Sequence, residues 1–220
     1  MAAVIRCRGL GKAFRVGTVR TLGGLLRPAE TRLHWALRNL DLEVEEGASL
    51  ALLGPNGCGK TTLLRLIAGI LNPTEGSVEV TRPVVPIFQW GLGFQELLSG
   101  RENAVLYAAL LGTPARAFRP RLGAVEAFAG LSGFLDAPVR QYSTGMRARL
   151  AVATALNALG EGILVLDEAL AVGDAAFSAQ CEAAFLELKR QGRTLILTSH
   201  NPETVARFSD RAVSLGQPAV

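Results

Sequence analysis

The sequence predicts an α/β fold organised on a mainly parallel sheet, and three observations lead there. Apolar runs at 49–53, 163–166 and 194–198 read as continuous Val/Ile/Leu strands, the pattern of a sheet buried on both faces. Helical patterns separate the later runs, as a strand–helix alternation requires. A glycine-rich loop follows the first run and opens a helix, which makes the carboxyl end of that strand a place to hold a ligand.

The elements follow in order. Residues 4–10 read as a short strand ending at Gly9 and Gly11, and residues 16–35 as an irregular basic stretch containing Gly23, Gly24 and Pro28. Leu40, Leu42 and Val44 alternate with Asp41 and Glu43, the period of a half-exposed strand. Gly47 turns the chain into the buried strand 49–53. The helix after the glycine loop runs from Thr61 to about Ile70 and is closed by Asn72-Pro73. Residues 84–88 form the next strand. From Glu102 to about Leu159 the pattern is mostly helical, with breaks at Gly112-Thr113-Pro114 and Asp136-Ala137-Pro138. A helix around 177–190 separates the last two apolar runs. The 220 residues therefore read as one domain: about 1–94 and 160–220 as the core, and about 95–159 as a helical lobe inserted into it.

Composition bounds the function classes. Hydrophobic residues make up 49% and mean hydropathy is +0.28, yet no apolar run is long enough to span a bilayer; 150–160 is uncharged but short and contains Asn157. The buried sheet accounts for the excess. Arg6 and Arg8 follow the start at once, so no signal peptide is expected. Cys7, Cys58 and Cys181 are odd in number and scattered, which suggests neither disulfides nor a zinc site and makes the cytosol the default. A net charge of +4 would suit a membrane surface or nucleic acid, but so mild a balance is usually only a solvated surface.

The strongest chemical signal is Gly54-Pro55-Asn56-Gly57-Cys58-Gly59-Lys60-Thr61-Thr62, a P-loop between a strand and a helix. Glycines let successive N–H groups converge on phosphate oxygens, and the positive end of the following helix adds to that field. Lys60 is expected to reach the β- and γ-phosphates of ATP, and the Thr61 hydroxyl to ligate Mg²⁺. Cys58 stands at a variable position of the loop and carries no redox role.

Three weaker signals gain meaning beside it. The strand at 163–166 ends in Asp167-Glu168, where Asp167 would hold Mg²⁺ through water and Glu168 would polarise the attacking water. His200 follows the strand at 194–198, placed to bond the γ-phosphate and orient water. Ser143 and Gly145 in Tyr142-Ser143-Thr144-Gly145-Met146 stand at the N-terminus of an expected helix, an end able to bind an anion; from physics alone this is only a capped helix.

In this order, P-loop, helical lobe, signature, Asp-Glu strand end, Asp174 and His200, the chain resembles the nucleotide-binding subunit of an ATP-binding cassette (ABC) transporter over nearly its whole length. The resemblance implies a P-loop NTPase fold: a mainly parallel core sheet, an antiparallel N-terminal β part and the inserted helical lobe. It implies an ATPase working as a homodimer paired head to tail. Each ATP then lies between one P-loop and the partner's Ser143 and Gly145, with Asp174 in the loop linking the two sites. Where relatives usually carry Leu-Ser-Gly-Gly-Gln, this chain has Tyr-Ser-Thr-Gly-Met followed by Arg-Ala-Arg-Leu. That signature, the 170–177 segment with its later Cys181, and the 93–103 segment are similar to exporters of capsular polysaccharide, O-antigen and teichoic acid. The basic 16–35 stretch, with Leu22-Gly23, also resembles a loop of those exporters.

From that branch follow an integral-membrane permease partner, a polysaccharide cargo handled through the permease, and residence at the cytoplasmic face of the inner membrane. The chain stops soon after Leu215, without an appended carbohydrate-binding domain, which is expected of a short, capsule-like form. Gln89 at the end of its strand is favoured as the metal-binding glutamine, while Gln95 matches the wording of the branch better. The adenine-stacking aromatic is Phe14 or Trp35. A different cargo (haem, lipid or lipoprotein), or a soluble ATPase acting on nucleic acid, are the alternative readings.

Overall fold

A computed structural model describes residues 2–17, 31–88, 93–167, 174–199 and 201–216. Gln89, Glu168 and His200 lie outside the described residues. Five strands form the parallel sheet: β3 (Ser49–Leu53), β5 (Val84–Ile87), β6 (Ile163–Asp167), β7 (Leu195–Thr198) and β8 (Arg211–Ser214), in the spatial order β5-β6-β7-β3-β8. A second, antiparallel sheet has the order β2-β1-β4, from β1 (Ala3–Gly17), β2 (Thr31–Glu45) and β4 (Glu75–Val80).

Helix α1 (Lys60–Ile67) leads away from β3. Between β5 and β6 stand α2 (Gly100–Leu110), α3 (Ala115–Phe118), α4 (Leu122–Ala129) and α5 (Thr144–Ala158). Helix α6 (Ala175–Arg190) joins β6 to β7, and α7 (Pro202–Phe208) joins β7 to β8.

Strand alternation splits the apolar residues into two cores, one on each face of the parallel sheet. Leu50 and Leu52 of β3, Ile163 and Val165 of β6, and Ile196 of β7 face a core shared with α1 and the antiparallel sheet. Ala51, Leu164, Leu166, Leu195 and Leu197 face the other, filled by α2, α4, α5 and α6. Along β3, β6 and β7 both faces are covered, so these strands carry no polar stripe.

The structure corrects several expectations. The first strand does not end at Gly9 and Gly11; it runs on to Gly17 with shifts of register against β2, so the glycines bend the strand. Strand β2 starts at Thr31, inside the stretch read as irregular, because pairing with β1 outweighs its weak alternation. Helix α1 stops at Ile67, short of Ile70, with Gly69 in the left-handed region just beyond. Strands β4 and β8 and helix α7 went unread.

Helix α6 begins at an N-cap, Asp174, whose carboxylate accepts the Phe177 N–H at 2.9 Å. The same carboxylate pairs with Arg149 of α5, and that guanidinium lies 4.9 Å from the centroid of the Phe177 ring. These contacts hold the Asp174 carboxyl below the usual range, chiefly the Phe177 N–H and then Arg149.

Two stability measurements follow. A carboxyl with a depressed pKa stabilises the fold above its unfolded value of about 3.9, and that contribution is lost as pH falls through the folded value. Asp174→Ala should therefore melt below the parent at pH 7, with the two melting temperatures converging as the pH drops below the ordinary Asp range. Thr154 in α5 is fully buried, and its hydroxyl is the one buried side-chain group among the described residues without a hydrogen-bond partner. Thr154→Val removes that cost and should raise stability by about 1 kcal/mol, or about 2–4 °C in a thermal melt.

Candidate nucleotide site

The P-loop leaves β3 at Gly54 and enters α1 at Lys60, at the carboxyl edge of the parallel sheet. Gly59 is the N-cap of α1, with φ of 98°. A Cβ there would stand 2.3 Å from the Ala36 carbonyl oxygen and 2.6 Å from Leu37, so only glycine allows this approach. Ala36 comes so near because β2 bulges: Lys12 pairs with Leu37 and Ala13 with Trp35, leaving Ala36 unopposed.

Helix α1 has no side-chain cap and no acid in its first turn. The short helices α3 and α4 also lack a side-chain cap, whereas α2, α5, α6 and α7 are capped by Ser99, Ser143, Asp174 and Asn201. The α1 terminus thus keeps its N–H donors and its positive end for an anion. Lys60 is 7% exposed, and its ammonium donates to the carbonyls of Gly54 (2.7 Å) and Pro55 (3.1 Å), directly over the loop. One cation and a set of backbone donors therefore converge where Gly54 to Thr62 curl.

Thr61, in the first turn of α1, donates its hydroxyl proton to Asp167 Oδ2 at 2.7 Å. Asp167 ends β6, and its other oxygen accepts from the Thr198 hydroxyl, also at 2.7 Å. Asp167 and Thr198 are register partners in the parallel pairing of β6 with β7. The fold brings Thr61 and Asp167 together and adds Thr198, for which a hydroxyl at the last position of a buried strand was the available signal. The hydroxyl and carboxylate are hard oxygen donors beside the phosphate-binding loop, a set that fits Mg²⁺.

Ser143 and Gly145 sit elsewhere, at the start of α5. Ser143 is the N-cap and accepts the Met146 N–H at 3.2 Å. No hydrogen bond among the described residues joins either of them to the P-loop. Gln95 is exposed, but its backbone is held on both sides by Asn103: its N–H donates to Asn103 Oδ1 at 2.7 Å and its carbonyl accepts from Asn103 Nδ2 at 2.9 Å. Phe14 and Trp35 occupy the same β1–β2 ribbon on opposite faces, since Trp35 pairs with Ala13 and Phe14 with His34. Trp35 stands next to the Ala36 that touches Gly59; Phe14 is exposed, with the Lys12 ammonium 5.5 Å from its centroid.

A family model described as ABC transporter matches residues 37–171. The chain is 38% identical over 220 residues to the ABC transporter protein AbcA of Aeromonas salmonicida, covering 99% of this chain and 71% of that one. It is 40% identical to the O-antigen export system ATP-binding protein RfbB of Klebsiella pneumoniae, covering 83% and 74%. A third relative, the teichoic acids export ATP-binding protein TagH of Lactococcus lactis, is 35% identical over 82% of this chain, which spans only 38% of that protein.

In fold, the chain matches the dimeric post-hydrolysis structure of the ATP-binding cassette MJ0796 bound to ADP and Pi, with a TM-score of 0.76 at 22% identity, over 97% of this chain and 94% of that one. No described helix is long and apolar enough to cross a membrane. With a P-loop on an uncapped helix, a Thr–Asp pair beside it and relatives matched along most of its length, the chain belongs to the ABC transporter family, as its ATP-hydrolysing cassette.

Proposed function

We propose that this chain powers export of a polysaccharide (capsular polysaccharide, O-antigen or a polyol-phosphate polymer) across the cytoplasmic membrane. It works as a homodimer bound to an integral-membrane permease at the cytoplasmic face. The observation that carries the ATP chemistry is the uncapped α1 terminus with Thr61 against Asp167. Support for the cargo comes from the names of the O-antigen and teichoic acid relatives and from the Tyr-Ser-Thr-Gly-Met signature.

In this reading the P-loop N–H groups and Lys60 hold the β- and γ-phosphates and stabilise charge that grows on them during transfer. Thr61, Asp167 and Gln89 or Gln95 would hold Mg²⁺, which neutralises phosphate charge when bound. Glu168 orients and deprotonates the attacking water, and His200 bonds the γ-phosphate. Ser143 and Gly145 of a second copy close the site from the other side, with Asp174 in the connection between the two sites. Trp35 or Phe14 stacks on adenine. The core at about 1–94 and 160–220 binds nucleotide, while the lobe at about 95–159 carries the signature to the partner.

Substitution separates binding from chemistry. Glu168→Gln should keep ATP affinity near the parent's and cut turnover by about 10²–10⁴-fold, the usual worth of a positioned general base. Near-parental hydrolysis in that variant, assayed with the permease present, would remove Glu168 from the role. Lys60→Ala should instead lose ATP binding itself, read by nucleotide titration. In cells, loss of the chain should leave polymer inside the cytoplasm; normal surface polymer in the deletion strain would refute the cargo.

A further inference from the structure

The segment leading to Ser143 is zipped to the loop before α2. Val139 N–H donates to Leu98 O and Arg140 N–H to Glu96 O, both at 2.9 Å. In return Gly100 N–H donates to Ala137 O at 3.1 Å, and Arg101 N–H to Leu135 O at 2.8 Å. Arg147, in the first turn of α5, reaches Glu96 at 3.2 Å. Fully buried Asn103 fastens the loop from beneath, donating to Gln95, Leu98 and Ser99 carbonyls.

Tyr142 closes the zipper one residue before Ser143. It is 5% exposed, and its hydroxyl donates to Phe134 O at 2.6 Å. Gly100 supplies the room. A Cβ there would stand 2.1 Å from the Tyr142 oxygen and 3.0 Å from the ring carbon that bears it. Gly100 is the first residue of α2 and its φ is not positive, so the backbone does not demand glycine. Its missing side chain is explained by the phenol.

We propose that Tyr142, seated in the space left by Gly100, is a positioning residue for the signature half of the nucleotide site: it sets where Ser143 and Gly145 stand against a nucleotide held by another copy of the chain. The proposal rests on the head-to-tail arrangement given under Proposed function. Tyr142 acts through Ser143 and touches no nucleotide. A residue that merely supported the fold would weaken every property of the chain. One that positions the signature spares the P-loop of its own chain and damages the site it completes on the partner.

The test uses the purified chain carrying Glu168→Gln throughout, and reads two quantities. One is the affinity for a fluorescent ATP analogue at concentrations where the chain is monomeric. The other is the ATP concentration giving half-maximal dimer in the ultracentrifuge. Tyr142→Phe should leave the first within about twofold and raise the second about tenfold, the scale of one lost buried hydrogen bond. Gly100→Ala should raise it at least as far, and adding Tyr142→Leu should restore part of the loss, because leucine has no atom where the phenol oxygen stood.

Mixed dimers then locate the effect. A Lys60→Ala chain paired with a Tyr142→Phe chain keeps one intact composite site; both substitutions on one chain, paired with the parent, leave none. The first pair should form at lower ATP. Parental dimerisation of Tyr142→Phe, or a parallel loss of monomer affinity, overturns the role of Tyr142 and leaves the head-to-tail arrangement standing. Equal behaviour of the two mixed pairs, or a parent that does not dimerise with ATP, overturns that arrangement and the proposal with it.

Discussion

Both oxygens of the Asp167 carboxylate are taken, one by Thr61 of α1 and the other by Thr198 of β7. Three elements therefore meet on one side chain at the carboxyl edge of the sheet. Parallel pairing makes this possible: β6 and β7 run in step, so their last residues stand side by side, and α1 starts where the neighbouring β3 gives way to the loop. An apolar residue at 167 would take away the acceptor of the Thr61 hydroxyl and with it one tether of the first turn of α1. Everything placed by the P-loop depends on this anchoring, because Lys60 is the residue directly before Thr61.

Much of this was legible in the chain. Strands β3, β6 and β7 could be read because both of their faces are apolar, and periodicity reports burial. The P-loop could be read because its chemistry lies in consecutive residues. Strand β4 could not: Glu75–Val80 is largely exposed, with only Val78 and Val80 partly buried, and exists through its pairing with β1. Strand β8, four residues at the sheet edge, is defined by β3 alone. Thr198 escaped notice because its partner lies 31 residues away, and only the register of two parallel strands joins them. The tie between Gly100 and Tyr142 is equally non-local. Local chemistry is written in the sequence, whereas partnerships across elements wait for the fold.

The two halves of the site are fastened by different forces. Around the P-loop the contacts are directional: hydrogen bonds to Asp167, an ammonium on two carbonyls, and a glycine pressed against the Ala36 bulge. The helices between β5 and β6 are joined to the sheet mainly through a shared apolar core, which has no preferred direction. Within that helical layer directionality returns, in the zipper that ends at Tyr142. The layer is thus stiff inside and attached more permissively outside, a division suited to delivering one turn of backbone as a unit.

The three cysteines of the chain acquire a practical meaning from the same architecture. All are free and buried. Cys181 lies in the core under the helical layer, where burial pushes its thiol up to about 12. Cys7 lies in the core beneath the antiparallel sheet, its thiol pushed up to about 11. Cys58 is inside the P-loop, its sulfur 2.7 Å from where a side chain on Gly54 would begin. The protein therefore carries three native chemical clocks, one in each core and one in the loop. Their separate rates of alkylation time how often each region opens to water, without any label having to be introduced.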